Sequence, residues 1–280
     1  MKVLPFKIPK PEQAALVYQE DHELAFYDKL HQHEEIQISI ILKGSGSLLV
    51  GDSINDFQPN DILVIGENVP HVFRSDHQEN SSSVMYTLFF TKKSFGSEFF
   101  NLTDLSDVQH FFDESEYGMK FKANEFQYDL FMKLKTQNKI ERLASMLLLL
   151  NSLLQSKKEP LSSFVYEKKY TDDEGKRMND VLHYAMEHFH ESISLDTISE
   201  IAFMSKNAFC RYFKKRTNKT FFQFLIEIRI EHACKLLYRQ QELSVSEISE
   251  LCGFHNIANF NRKFKELKGI TPTQYRNKLE

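Results

Sequence analysis

Apolar and polar positions first fall into a regular pattern at His31. Ile36-Gln37-Ile38-Ser39-Ile40 alternates with period two, and the run continues through Ile41-Leu42. Further short runs follow at residues 47–50, 62–65, 71–73 and 83–90. Lys43-Gly44-Ser45-Gly46, Gly51-Asp52 and Asn68-Val69-Pro70 separate them as turns. Short strands punctuated this often predict a β-barrel or sandwich. Residues 1–30, with prolines at 5, 9 and 11, read as irregular. Phe95 to Asp113 is rich in phenylalanine and reads as connecting structure packed on the barrel. The period then lengthens. Phe126, Leu130, Leu134, Ile140, Leu143, Leu147, Leu150 and Leu154 recur at threes and fours, which predicts helices across residues 123–155. Met146 to Leu150 makes the second of these apolar around much of its circumference, so that helix has to be covered, by its own barrel or by a partner. Residues 156–175 are polar and charged and read as a linker, and Met178 to Phe189 begins a second helical region.

That second region contains a repeat. Ser244 and Glu247 have capping-box spacing ahead of a short helix with Ile248 and Leu251 on its apolar face. Gly253 ends it, and a second helix is predicted over residues 256–268 with Phe260, Phe264 and Leu267 as its buried stripe. About fifty residues earlier, Ile198-Ser199-Glu200-Ile201-Ala202 matches Ile248-Ser249-Glu250-Leu251-Cys252. Phe209-Cys210-Arg211-Tyr212-Phe213-Lys214 matches Phe260-Asn261-Arg262-Lys263-Phe264-Lys265. Asn218 stands where Gly269 stands, and Thr220 where Thr271 stands. Each block is two short helices joined by a turn. The second helix of each turns a different face outward. Asn207, Cys210, Arg211 and Lys214 share one such face, and Ala258, Asn261, Arg262 and Lys265 the other. Amides pair with adenine edges, guanidiniums with guanine edges, and ammoniums with phosphates. The segment from Phe221 to Leu237 reads as a long helix holding the two blocks apart.

Charge supports nucleic acid as the partner once it is divided along the chain. The whole carries −4. Residues 1–170 hold 18 Lys+Arg against 24 Asp+Glu, a net −6, while residues 206–276 hold 14 against 6, a net +8. The basic end coincides with the repeats. The three cysteines, Cys210, Cys234 and Cys252, have no metal-ligand spacing, and their odd number fits a reducing cytoplasm. Met-Lys-Val-Leu-Pro-Phe carries no secretory apolar run, and Met146–Leu150 falls short of the ~20 residues a membrane span needs.

Residues 176–276 resemble the DNA-binding domain of the AraC/XylS family of transcription regulators. The residues that carry the likeness are the two repeats, Gly253-Phe254, Phe260-x-Arg262-x-Phe264-Lys265, and Gly269-x-Thr271-Pro272-x-x-Tyr275-Arg276. The resemblance implies DNA contacts from Ser205, Lys206, Asn207, Cys210, Arg211 and Lys214 in the first repeat. In the second it implies Asn256, Ile257, Ala258, Asn261, Arg262 and Lys265.

His31-x-His33-Glu34-Glu35, Gly44-x-Gly46, Pro59-Asn60-Asp61 and Pro70-His71 resemble the cupin barrel found at the N-terminus of many such regulators. Metal-binding cupins place a glutamate four residues after the second histidine; here that residue is Gln37. Hence no metal or other cofactor is expected. His31, His33, Glu35, Gln37 and His71 are expected to line a pocket for a small molecule, by resemblance a sugar. The expected architecture is mixed: a cupin-like barrel with flanking helices, then an all-α domain with two helix-turn-helix motifs. Residues 1–155 would bind effector and dimerise through helices in 123–155, 156–175 would link, and 176–280 would bind double-stranded DNA. By resemblance the regulator is an activator rather than a repressor, cytoplasmic, not an enzyme, with RNA polymerase as a candidate partner. The competing reading is a cupin metalloenzyme with an accessory helical domain, which requires a metal at His31, His33 and His71.

Overall fold

A computed structural model describes residues 15–76, 82–165 and 172–278. The chain divides into two compact units, Met1–Asp172 and Asp173–Glu280.

The first unit is built on β2 (Ile36–Lys43), whose two faces are both covered. Its even positions, Ile36, Ile38 and Ile40, join Met146, Leu149, Leu150 and Leu153 of α3 (Lys139–Leu154) in one core. Its odd positions turn the other way, and there Ile41 meets Leu48, Val50, Phe57, Leu63 and Phe73. Burying each such side chain contributes roughly 1.5–3 kcal/mol. Around β2 lie β1 (Val17–Glu23), β3 (Gly46–Val50), β4 (Ser53–Phe57), β5 (Asp61–Ile65), β6 (His71–Ser75), β7 (Ser83–Phe90), β8 (Met119–Lys122) and β9 (Glu159–Pro160). They form a six-stranded sheet ordered β1-β7-β2-β5-β8-β9 and a three-stranded sheet β4-β3-β6, with antiparallel pairing throughout. Two further helices, α1 (Ser106–Ser115) and α2 (Glu125–Lys133), lie in sequence before α3. Phe111 and Phe112 of α1 and Phe131 of α2 are buried in the core that α3 helps to form. This is the sheet-rich, cupin-like domain that the alternation implies.

Three expectations need correction. Residues 17–23, read as irregular, are β1, paired with β7 along its whole length. Only Val17 is buried on that strand, so no apolar alternation announced it. Residues 156–165, read as linker, belong to the first unit. Glu159–Pro160 pairs with β8, Leu161 is buried between the sheets, and buried Asp52 accepts bonds from Ser162 Oγ (3.0 Å) and Ser163 N (3.0 Å). The polar residues there satisfy a buried carboxylate rather than solvate a spacer. Residues 166–171 lie outside the described residues. Finally, Phe126, Ile140, Leu251 and Leu267 were placed on buried stripes, but they are 51%, 80%, 51% and 42% exposed. Each sits at the edge of its helix stripe, where the core does not reach.

The second unit is helical: α4 (Asp172–Glu187), α5 (Leu195–Ile201), α6 (Lys206–Thr217), α7 (Phe221–Arg239), α8 (Val245–Leu251), α9 (Ile257–Lys268) and α10 (Pro272–Asn277). The repeat is reproduced in its caps. Thr220 and Gln223 close a capping box at the start of α7, as Thr271 and Gln274 do for α10. Asn218 and Gly269 both end their helices in the left-handed conformation. Phe209 and Phe213 pack on Phe221 and Phe224, and Phe260 and Phe264 pack with Phe254 and Tyr275. Each aromatic cluster therefore faces its second helix inward on the phenylalanine side and leaves the polar side out.

Candidate nucleic-acid interface and effector pocket

The outward side of α6 begins at its cap. Ser205 accepts a bond from Ala208 N (3.4 Å), leaving the first turn of α6 at the surface. Lys206, Asn207, Cys210, Arg211 and Lys214 are all exposed, while Phe209 and Phe213 are fully buried. In α9 the cap is stronger: Asn256 accepts from Ala258 N (2.8 Å) and Asn259 N (3.1 Å). Asn256, Ile257, Ala258, Asn261, Arg262 and Lys265 are exposed. The fold thus brings all twelve named side chains to the surface of two equivalent helices. Two of the basic groups are engaged there. Lys206 pairs with Asp196 at 2.5 Å, and Arg262 donates to Asn259 Oδ1 at 2.8 Å with Glu266 at 3.7 Å. A surface pair of this kind contributes little stability and can be exchanged for a phosphate or a base.

A cavity of about 540 Å³ opens in the first unit, a size suited to one small molecule. Its walls are aromatic at Phe26, Tyr27, Phe73 and Phe89 and polar at His31 and Gln37. Gln19, Asp21 and Glu23 complete it from the inward face of β1, the strand whose polarity concealed it. In the sequence they sit in an unbroken polar run, Gln19 to Glu23, which reads as loop. Among the described residues, no lysine or arginine lines it. Burial, and then the neighbouring Glu23 charge, raise the Asp21 carboxyl above its ordinary range; the bond from Gln19 Nε2 (2.7 Å) opposes them.

Of the five residues proposed for this pocket, His31 and Gln37 form its wall. His33 and His71 stand behind them, and Glu35 packs beside His33 rather than on the cavity. One nitrogen from each of His31, His33 and His71 lies within 4.8 Å of the others. All three Nδ1 atoms face backbone carbonyls, those of Lys29 (2.8 Å), Glu35 (2.8 Å) and Val69 (2.9 Å). A carbonyl only accepts, so each Nδ1 donates, and in the neutral ring Nε2 carries a lone pair. Burial keeps two of them neutral: His31 is held down to about 3, and His71 well below its usual value. Among the described residues, the buried Nε2 of His71 has no hydrogen-bond partner. Three converging imidazoles, each with Nδ1 on a carbonyl, fit a divalent metal, which would serve there as a Lewis acid or as an anchor for a ligand oxygen.

Gln37 lies 3.2 Å from His33 Nε2 and 2.9 Å from Ser39 Oγ, which is 2.8 Å from Thr87 Oγ1. A neutral His33 with Nδ1 on the Glu35 carbonyl carries its lone pair on Nε2, and the amide then presents its NH2 to the imidazole and its oxygen to Ser39. Thr87, Ser39, Gln37 and His33 then form one directed chain of buried hydrogen bonds ending at the pocket wall.

A basic pair of helix-turn-helix blocks and a barrel with a pocket of mixed aromatic and polar lining define a ligand-controlled DNA-binding regulator. Comparison with known proteins agrees. Residues 198–278 match a helix-turn-helix domain, and residues 13–89 match the AraC-like ligand binding domain. The chain is 28% identical over 250 residues to the probable transcriptional regulator LumQ of Photobacterium leiognathi, covering 88% of this chain and 90% of that one. It is 26% identical over 261 residues to the uncharacterized HTH-type transcriptional regulator YdeC of Bacillus subtilis, covering 89% and 86%. The solved DNA-binding domain of AdpA, in complex with a target DNA, is 33% identical across 35% of this chain and 86% of that chain, with a TM-score of 0.33. The chain therefore carries an AraC-like ligand-binding domain towards its N-terminal end and a helix-turn-helix domain towards its C-terminal end, the make-up of a DNA-binding transcriptional regulator. Among the described residues, no helix is long and apolar enough to cross a membrane.

Proposed function

We propose that this regulator activates transcription from the cytoplasm as a homodimer when a neutral, hydroxyl-rich molecule of sugar size enters the barrel. The observation that carries the effector class is the chain of buried hydrogen bonds ending at Gln37, set against aromatic walls. Such a surface gives hydroxyls both donors and acceptors, and the ring faces of Phe26 and Phe73 suit the apolar face of a sugar. The carboxylates of Asp21 and Glu23 disfavour an anionic effector, and no lysine or arginine among the described residues lines the cavity to offset them. The twelve outward side chains of Ser205–Lys214 and Asn256–Lys265 would contact DNA, and a bound activator would present its remaining surface to RNA polymerase. Dimerisation is supported by the outer face of α3, where Ile140 and Leu148 are 80% and 48% exposed. The test is a thermal-shift panel of neutral sugars, aliphatic amines and carboxylates on the full chain and on Gln37→Ala. Sugars that stabilise only the wild type support the reading. Stabilisation by carboxylates alone overturns it.

The converging histidines support a second reading, in which a divalent metal at His31, His33 and His71 takes part in effector capture. Equilibrium dialysis of the full chain against zinc separates the two: stoichiometric zinc lost in His71→Ala favours the metal, and no retained zinc excludes it.

A further inference from the structure

The two reading helices are the same length and both end in a left-handed cap, 51 residues apart, so their positions can be compared one by one. Arg211 and Arg262 are equivalent, and their surroundings differ. Arg262 is held from both sides. One turn before it, Asn259 Oδ1 accepts from its Nη2 at 2.8 Å, and one turn after it Glu266 lies 3.7 Å from Nη1. Glu266 is shared with the nearer Lys263, at 2.9 Å, which leaves Asn259 as the principal hold. Asn259 is itself anchored, because its backbone N–H donates to the Asn256 cap. In the first repeat the corresponding residues are Ala208 and Lys215. Alanine cannot accept a hydrogen bond, and lysine repels the guanidinium. Arg211 has no side-chain partner among the described residues.

We propose that Asn259 is a positioning residue that presents Arg262 to a base edge, and that the second repeat therefore discriminates sequence while Arg211 in the first repeat serves phosphates. A bidentate contact to guanine needs the planar guanidinium at one angle, so a side chain already held there loses less freedom on binding. A phosphate accepts a guanidinium from many directions, so a mobile arginine is sufficient there. The surrounding charge agrees: α6 exposes Lys206, Arg211, Lys214 and Lys215 with no acid of its own, its Arg216 being buried against Glu174, whereas α9 tempers its four cations with Glu266.

The proposal rests on Arg262 facing DNA, and the experiment separates the two. A duplex is selected from a random-sequence pool by the full-length wild type. Affinity for that duplex and for a scrambled one is then measured by fluorescence anisotropy across a salt series. Asn259→Ala should weaken the selected duplex five- to tenfold and the scrambled one less than twofold, with the salt slope unchanged. Asn259→Asp, which keeps the acceptor, should restore selectivity. Arg211→Ala should weaken both duplexes alike and lower the salt slope by about one. If Arg262→Ala is selective but Asn259→Ala is silent or weakens both duplexes equally, the positioning role is overturned alone. If Arg262→Ala weakens both equally, the base-reading assignment itself fails. A selective loss in Arg211→Ala overturns the division of labour between the repeats.

Discussion

Phe203 and Gly253 occupy the same left-handed position in two copies of one turn, at φ 51° and 77°. Both turns close in the same way, with Phe203 N bonding Glu200 O and Met204 N bonding Ser199 O, as Gly253 N and Phe254 N do with Glu250 and Ser249. Glycine suits this conformation, whereas a phenylalanine with 83% of its surface exposed does not. Phe203→Gly should therefore stabilise the C-terminal unit by about 1 kcal/mol. Gly253→Ala should destabilise it by roughly 2 kcal/mol, because a β-carbon there would lie 2.7 Å from the His190 carbonyl oxygen. Calorimetric melts of the two variants check both signs; a loss in Phe203→Gly would show that the exposed ring holds a contact within the fold.

The cysteines offer a chemical test of the α6 face. Cys210 is exposed on it, whereas Cys234 and Cys252 are buried. Burial pushes the Cys252 thiol up to about 12, and Cys234 beside it adds to the rise. At pH 8 a thiol with so high a pKa holds almost no thiolate, so it should not alkylate in the native protein. Iodoacetamide should give one adduct, at Cys210, seen by mass spectrometry, and bound DNA should protect it. An adduct formed equally fast with and without DNA would place α6 away from the duplex.

Much of this organisation was legible in the sequence, and the parts that were not share a cause. The repeats were legible because both copies spend phenylalanines at helical spacing and cap their helices with the same residue types, so Phe209 and Phe260 announce each other. The central strands were legible because Ile36, Ile38 and Ile40 alternate with Gln37 and Ser39. β1 was not, because a strand that lines a polar pocket places Gln19, Asp21 and Glu23 where a core strand would place apolar residues. Function removed the pattern by which the strand would have been found. The segment around Ser162 was misread for a related reason: its hydroxyls look like spacer until buried Asp52 is seen to need them. The three histidines were grouped through the likeness to the cupin motif, but the three Nδ1 bonds that orient the rings come from carbonyls that no motif records.

Gln37→Glu examines that convergence directly. A carboxylate at this position would face His33 Nε2, which is 3.2 Å from the present amide group. The variant should bind zinc at least tenfold more tightly than wild type in equilibrium dialysis, and His71→Ala should remove the gain. An unchanged affinity would mean that the imidazoles do not act together.

Leu148 tests the association proposed for α3. It is 48% exposed on a helix whose opposite side is fully buried. Leu148→Asp should convert the dimer to a monomer in light scattering while leaving the melting temperature within a few degrees, since little of its surface is in the core. A variant of unchanged mass would move the interface elsewhere.

The central claim is that α6 and α9 jointly contact DNA, held apart by the 19 residues of α7. A helix of that length spans about 28 Å at 1.5 Å per residue, close to one turn of duplex. Selecting binding sites from a random-sequence DNA pool with the full chain, followed by sequencing, measures this most directly. The account predicts two short conserved blocks per site, separated by about 10 base pairs centre to centre, with Arg262→Ala relaxing the sequence of one block. A single block, or no enrichment over the starting pool, would contradict it.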